Sequence, residues 1–445
     1  RENMRKNQTV QLEIDGTGMN GAGVARCEGM AVFVKNALPG ESVTAKIISV
    51  KSHYAYALPL EIGGVSPMRS TPPCPLFGKC GGCTMQHIKY ADQLRIKKEF
   101  VETALKKAGV RAAVCPTVAS DKILRYRNKM SLPAGIVAGE TEVGLYAFNS
   151  HRIVPCDDCL LQPEWNAAVI SAFRGFLRES GYRGYDAISK TGEVRHLVVR
   201  ETAGFLSVTV VAARKINVLP FADRLRAAGV EADVYLNINT MENNVILGDE
   251  WHAVSAYPRK ARIDGFYVDI HPAGFFQVND YIRDKIYAAA LDIIANAKPD
   301  TVIDAYSGAG LMTAMFAKKA RRAIGIEINA RAVDSAKKLI RENAVHNAEA
   351  IEGDVSAILP RLKKYSRDCA VVLDPPRSGC DERVLKTVID FMPNTAVYIS
   401  CNPGTLARDL AVLSPVYDIK LVQPYDMFPM TDHVETLVLL CRKQE

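Results

Sequence analysis

The sequence predicts a multidomain chain: an N-terminal β-barrel of the oligonucleotide-binding type, a central α+β domain with clustered cysteines, and a C-terminal Rossmann-like α/β domain. Three observations carry that expectation. Residues 8–62 read as short apolar runs broken by glycines, three cysteines crowd into Cys74–Cys83, and from Phe275 onward strand and helix patterns alternate. The boundaries fall at 4–65 for the barrel, at 66–92 and 115–265 for the central domain, and at 93–114 and 266–445 for the C-terminal domain. Arg1, Glu2 and Asn3 precede Met4 and are set apart from the fold reasoning.

A chain of 445 residues, 48% hydrophobic and 24% charged, can bury more than one core. Its net charge of +7 suits a polyanionic partner without naming one. No apolar run approaches the roughly 20 residues that span a bilayer, and the first residues show no charged-then-apolar pattern. A cytoplasmic protein with no membrane partner is therefore expected. In a reducing compartment eleven cysteines are not a disulfide framework, so clustered ones point to metal and isolated ones to packing or catalysis.

In the barrel, Val10–Ile14, Ala31–Val34 and Val43–Ile47 are expected strands, with Gly16, Gly18, Gly21 and Gly23 turning the chain between the first two. RNA binding and a structural cap are equally open readings of such a unit. The Pro-rich stretch Ser66–Pro75 leads into Cys74-Pro-Leu-Phe-Gly-Lys-Cys80-Gly-Gly-Cys83, whose Gly81 and Gly82 let the backbone wrap a cluster and aim N–H groups at its sulfurs. A fourth ligand would come from Cys156 or Cys159, and the spacing leaves zinc and iron–sulfur both open. Gln93–Ala108 reads as an amphipathic helix whose basic face is solvated or touches RNA. Strands are expected at Val194–Arg200, Phe205–Ala212 and Val234–Ile238, with a helix over Glu164–Ser180. Arg125-Tyr-Arg127-Asn-Lys129 and Arg195-His196 place cations and aromatic groups together, as nucleic-acid contact or ordinary surface charge would.

The C-terminal third holds the chemistry. Thr301–Asp304 is a short strand, Tyr306-Ser-Gly308-Ala-Gly310 a glycine turn, and Ala323–Glu327 the next strand, ending in an acid about twenty residues beyond the turn. Glycines there admit close backbone approach and the acid accepts from ribose hydroxyls. Thr313 stands where a third glycine would complete a dinucleotide fingerprint, so the pattern is that of S-adenosylmethionine rather than of a pyrophosphate cofactor. Asp354 ends a further strand, within reach of an adenine amino group. Asp374-Pro-Pro-Arg377 freezes the backbone after a strand and holds the Asp374 carboxylate at the sheet edge. The run Ala396–Ile399 carries Cys401 to a strand end that Asn402-Pro403 terminates, which presents the thiol instead of burying it.

Phe276-Gln277-Val-Asn279, the Gly308-x-Gly310 turn, Asp374-Pro-Pro-Arg377, Ser400-Cys401-Asn402-Pro403 and His433-Val-Glu435 occur in one order that resembles the RNA uracil-5-methyltransferases. The front barrel, through Gly-x-Gly-x-Ala, Val-Phe-Val and Leu-Pro-Gly-Glu, resembles the TRAM domain; with the cysteine loop, the whole chain resembles RumA-type 23S ribosomal RNA enzymes. The resemblance implies a nucleophile at Cys401, a proton-abstracting base at Glu435, and S-adenosylmethionine contacts at Gln277, Tyr306, Gly308, Gly310, Glu327, Asp354 and Asp374. It implies a 4Fe-4S cluster on Cys74, Cys80, Cys83 and Cys159, with Cys156 as an extra thiol. Because tRNA-directed relatives are expected to lack the barrel and the cluster, the implied partner is 23S ribosomal RNA, with no obligate protein partner. Rival readings are a tRNA uracil-5-methyltransferase and a non-catalytic RNA-binding or ribosome assembly factor. Radical methylthiotransferases need a C-x3-C-x2-C loop that this chain lacks, and a cytosine-5 enzyme fits Glu435 less well.

Overall fold

The computed structural model describes residues 4–274 and 276–444. Arg1–Asn3, Glu445 and Phe275, where the strand–helix alternation is expected to begin, lie outside the described residues.

Six strands form the front sheet, in the order Thr9–Glu13, Ser42–Val50, Tyr54–Gly63, Met30–Val34, Gly23–Cys27 and Gly16–Thr17. Alternation along Ser42–Val50 buries Val43, Ala45 and Ile47 against Val32 and Val34. Pro59 is tolerated inside Tyr54–Gly63 because the ladder slips there, Thr44 facing Glu61 and Ala45 facing Pro59. The other face of this strand is open: Tyr54 and Tyr56 lie exposed, their rings 5.5 Å apart and each within 6 Å of Phe33.

The central sheet has seven strands and is two-faced. Leu197, Val199, Val208 and Val210 pack beneath the helices Trp165–Ser180 and Leu219–Ala227. Register places Lys129, Arg200, Ser207 and Asp233 in one row across the opposite face. The Asp233 carboxylate is taken by Arg259, with 2.6 Å from Nε to Oδ2.

The last sheet positions the site. Its strands are β1 (Thr301–Ala305), β2 (Arg322–Glu327), β3 (Ala348–Glu352), β4 (Cys369–Leu373), β5 (Thr395–Ser400), β6 (Tyr417–Tyr425) and β7 (Glu435–Arg442), in the spatial order β3-β2-β1-β4-β5-β7-β6. The first five are parallel, and β1 and β4 are buried along their whole length. β7 is antiparallel to both of its neighbours. The helix Tyr90–Lys107 sends Val101 and Leu105 into this domain's core, and its fully buried Lys97 pairs with the buried Asp426 after β6. The hairpin Arg259–Ile263/Phe266–Ile270 straddles residue 265 and packs Ile263, Phe266 and Val268 against Leu311 and Met315. No helix among the described residues is long and apolar enough to cross a membrane.

Candidate active site

The carboxyl edge of the parallel strands gathers the expected residues. After β1 the backbone turns through Tyr306, Gly308 and Gly310 at φ of +67°, +53° and +80°. Two glycines and a strained tyrosine make this turn, and a Cβ at Gly308 would meet nothing within 4 Å, which leaves open space where a ligand's backbone contact is needed. Gly310 is there for a second reason, since a Cβ would lie 2.6 Å from that of Ala336. Glu327 closes β2 and accepts from Gly308 N (3.0 Å) and Asn329 N (2.8 Å). Asp354 follows β3 as the cap of the short helix Val355–Ile358, accepting from Ser356 N at 2.8 Å. Gln277 lies in the segment before the helix Asp280–Ala297, and its carbonyl accepts from Asn128 Nδ2 at 2.8 Å.

Beyond β4 and β5 stand Asp374 and Cys401. Ser400 pairs with Thr436 in the antiparallel β5–β7 ladder, so the next residues outward, Cys401 and Glu435, face one another at the open edge. Glu435 is 4% exposed; burial, and then the nearby Asp374 carboxylate, hold its carboxyl well above the ordinary range. Burial pushes Asp374 up to about 7. The Cys401 thiol is pushed up to about 11 by burial first and by Glu435 and Asp374 next, with Arg377 opposing. Asp304 beneath is likewise raised to about 7 by burial, although Thr313 Oγ1 donates to its Oδ2 at 2.6 Å. The crevice thus concentrates carboxylates and a thiol whose proton affinities are raised together, the arrangement expected where protons and a positive ligand are handled.

The cysteines meet as well. Cys74, Cys80, Cys83, Cys156 and Cys159 line one cavity of about 350 Å³ together with Arg127 and Lys129. Burial pushes the Cys83 and Cys156 thiols up to about 12, and the other thiols add to it. Gly82 N donates to Cys80 Sγ at 3.2 Å. Among the described residues, no three His, Cys, Asp or Glu side chains converge closely enough to hold a metal ion.

Several participants escaped the sequence reading. Arg377 was visible only as the tail of a motif, yet it is the cation that eases the Cys401 thiol down. Thr313, read as a missing glycine, ties the first helix of the α/β unit to Asp304. Gly325 supplies the close approach instead: a Cβ there would lie 2.8 Å from both Ser307 Oγ and Thr313 Oγ1. The exposed Tyr54–Tyr56 pair has only a period-two spacing to announce it.

Residues 260–443 match the tRNA (Uracil-5-)-methyltransferase family and residues 4–60 the TRAM domain. An uncharacterized RNA methyltransferase of Halalkalibacterium halodurans is 37% identical over 450 residues, 98% of each chain. One from Listeria monocytogenes is 36% identical over 447 residues, again 98% of each. Among solved structures, the Pyrococcus abyssi tRNA (uracil-54, C5)-methyltransferase in complex with S-adenosyl-L-homocysteine superposes with a TM-score of 0.77 at 26% identity, covering 97% of this chain and 99% of that one. That match spans 97% of this chain, so a front half of this extent does not by itself separate ribosomal RNA enzymes from tRNA-directed ones. With a methyltransferase-type sheet, a TRAM barrel at its front and relatives matching from end to end, the chain belongs to the RNA uracil-5-methyltransferase family.

Proposed function

We propose that the enzyme methylates C5 of a uridine in 23S ribosomal RNA, using S-adenosylmethionine and a covalent adduct between Cys401 and uracil C6. The observation that carries this reading is the register that opposes Cys401 and Glu435 at the open edge of the sheet. Uracil C5 is too weak a nucleophile to take a methyl group unaided. Addition of the Cys401 thiolate to C6 moves the ring electrons toward C5, which then forms its bond to the methyl group. Glu435 takes the C5 proton, the C5–C6 double bond re-forms, and the C6–S bond breaks to return the thiolate. A carboxyl whose proton affinity is raised by burial is a stronger acceptor for the C5 proton than an exposed one. Asp374, beside both groups, orients the uracil edge.

S-adenosylmethionine supplies the electrophilic methyl group when bound. The open turn at Gly308 and Gly310 and the carboxylate of Glu327 would hold its ribose end, and Tyr306, Gln277, Asp354 and Asp374 would contribute the remaining contacts. The uridine must leave its stack to reach Cys401, at a cost of a few kcal/mol. The exposed Tyr54 and Tyr56 offer flat apolar faces on which neighbouring bases can stack.

Cys74, Cys80, Cys83 and Cys159 would hold a 4Fe-4S cluster. Support comes from a thiol-lined space wider than one ion needs, from the N–H aimed at Cys80, and from cations alongside. Lys129 is held below its usual range by burial and by Arg200 and Arg127; Arg200 is buried with Nε and Nη1 unpartnered. Cations in this position complement an anionic cluster. Such a cluster would shape the loop that carries it.

The likeness to the Pyrococcus abyssi tRNA enzyme over the whole chain favours tRNA as a second reading. Anaerobically purified enzyme incubated with S-adenosylmethionine and unmodified transcripts of 23S ribosomal RNA and tRNA decides between them by nucleoside mass spectrometry. 5-Methyluridine in the ribosomal transcript alone supports the first reading, and in tRNA alone the second. Label in neither transcript refutes both.

A further inference from the structure

The loop that delivers Glu435 is held in part from outside its own domain. Residues 426–434 join β6 to β7, and several polar groups of this segment are gripped by other parts of the chain. Thr84 N and Met85 N both donate to Met430 O, at 3.1 and 3.0 Å. Thr84 Oγ1 donates to Asp432 Oδ1 (3.1 Å) and accepts from Asp432 N (3.0 Å), a reciprocal clasp. The second oxygen of Asp432 accepts from Asn20 N in the barrel at 2.8 Å. Gln93 Oε1 accepts from Met430 N at 3.1 Å, Lys97 donates to Phe428 O at 3.0 Å and Tyr126 OH to Pro429 O at 3.0 Å.

Three features say that this junction is specified instead of incidental. Met430 sits at φ +68°, a conformation an unbranched side chain adopts only when its surroundings impose it. Gly21 of the barrel turn could not be another residue, because a Cβ would meet Thr84 O at 2.2 Å. Asp432 is buried, at 5% exposure, with both oxygens engaged. Barrel, cysteine loop and catalytic domain therefore converge on one carboxylate, three residues before Glu435. Thr84 is the residue directly after Cys83.

We infer that Thr84 and Asp432 are positioning residues for the methyl-transfer site: their clasp sets the approach of Glu435 to the uracil C5 proton and makes it depend on the fold of the cysteine loop. The inference rests on the proposed roles of Cys401 and Glu435. It also gives the cysteine site a use in a reaction that transfers no electrons. Whatever holds Cys83 in place holds Thr84, and Thr84 holds the strand entry from which the base projects.

A base set back from C5 slows proton removal while leaving addition and methyl transfer intact, so enzyme accumulates as a covalent RNA adduct. The test compares Thr84→Val, Thr84→Ser, Asp432→Asn and Glu435→Gln with the parent enzyme on the transcript it methylates. Readouts are turnover, slow-migrating adduct on a denaturing gel, iron per chain and S-adenosylmethionine affinity. Thr84→Val and Asp432→Asn should lose turnover by roughly ten- to a hundredfold, the order a displacement of about 1 Å produces. Adduct should rise toward the Glu435→Gln level with iron and cofactor affinity unchanged, and Thr84→Ser should restore both readouts. Loss of turnover together with iron, and no adduct, overturns the positioning role in favour of a structural one. Unchanged turnover in both clasp variants overturns it outright. Absence of adduct in Glu435→Gln itself refutes the base assignment instead, and so separates the two failures.

Discussion

In the proposed mechanism Cys401 reacts as a thiolate, and its surroundings in the free enzyme oppose that. With the thiol pushed up to about 11, only about one molecule in a thousand carries the thiolate at pH 8. Alkylation of Cys401 by iodoacetamide, followed on its own peptide by mass spectrometry, should then climb about tenfold per pH unit. The rise from pH 7 to pH 9 should be about a hundredfold, with no plateau below about pH 10. An unperturbed thiol near 8.5 gains only about 25-fold over that interval and levels off soon after. Because burial and the Glu435 charge are the two largest causes, Glu435→Gln should move the whole profile to lower pH while leaving its slope unchanged. A plateau below pH 8.5 in the parent enzyme would mean a preformed thiolate and would refute the account of the resting site. An unmoved profile in Glu435→Gln would refute the coupling of the two groups.

Cys401→Ala should abolish turnover and adduct while S-adenosylmethionine still binds, as equilibrium dialysis would read. Gly310→Ala forces a side chain into φ +80° against Ala336 and should cost about 2–5 kcal/mol of stability, measured by denaturant unfolding, together with cofactor affinity. Lys97→Met strands the buried Asp426 and should destabilise by about 3–5 kcal/mol; a midpoint shift worth under 1 kcal/mol would show the pair to be solvated. Cys80→Ser should lose iron and visible absorption, and an intact chromophore would remove Cys80 from the ligand set.

Residues set in an unusual local pattern could be singled out from the sequence. Cys401 was legible because a β-rich run ends on Asn402-Pro403, and Asp374 because two prolines follow it. Partners brought together by long-range pairing were not. Nothing local distinguishes Glu435 as the neighbour of Cys401, since only the antiparallel β5–β7 ladder joins them; the resemblance, not periodicity, pointed to it. The helix Asp280–Ala297 lacks a clean stripe because Ile282, Ile286 and Ile294 serve one cluster while Tyr287 and Leu291 also touch another. Asp354 shows a different limit: an acid after a strand reads as a ligand contact, yet one of its oxygens caps a helix. The clasp at Asp432 was invisible for a plainer reason, that its partners lie 348 and 412 residues away.

The reversed last strand has a consequence for how the protein comes into being. β7 lies between β5 and β6, both of which leave the ribosome before it does. A sheet that grows in chain order reaches β6 with an unfilled slot beside β5, and Cys401 at the rim of that slot has no carboxylate opposite it. Only when β7 threads the gap are its ladders made on both sides, and the same event carries Glu435 to the thiol. Completion of the core and the pairing of Cys401 with Glu435 are therefore one step, so a nascent or truncated chain that exposes Cys401 lacks the carboxylate that the proposed mechanism uses as its base.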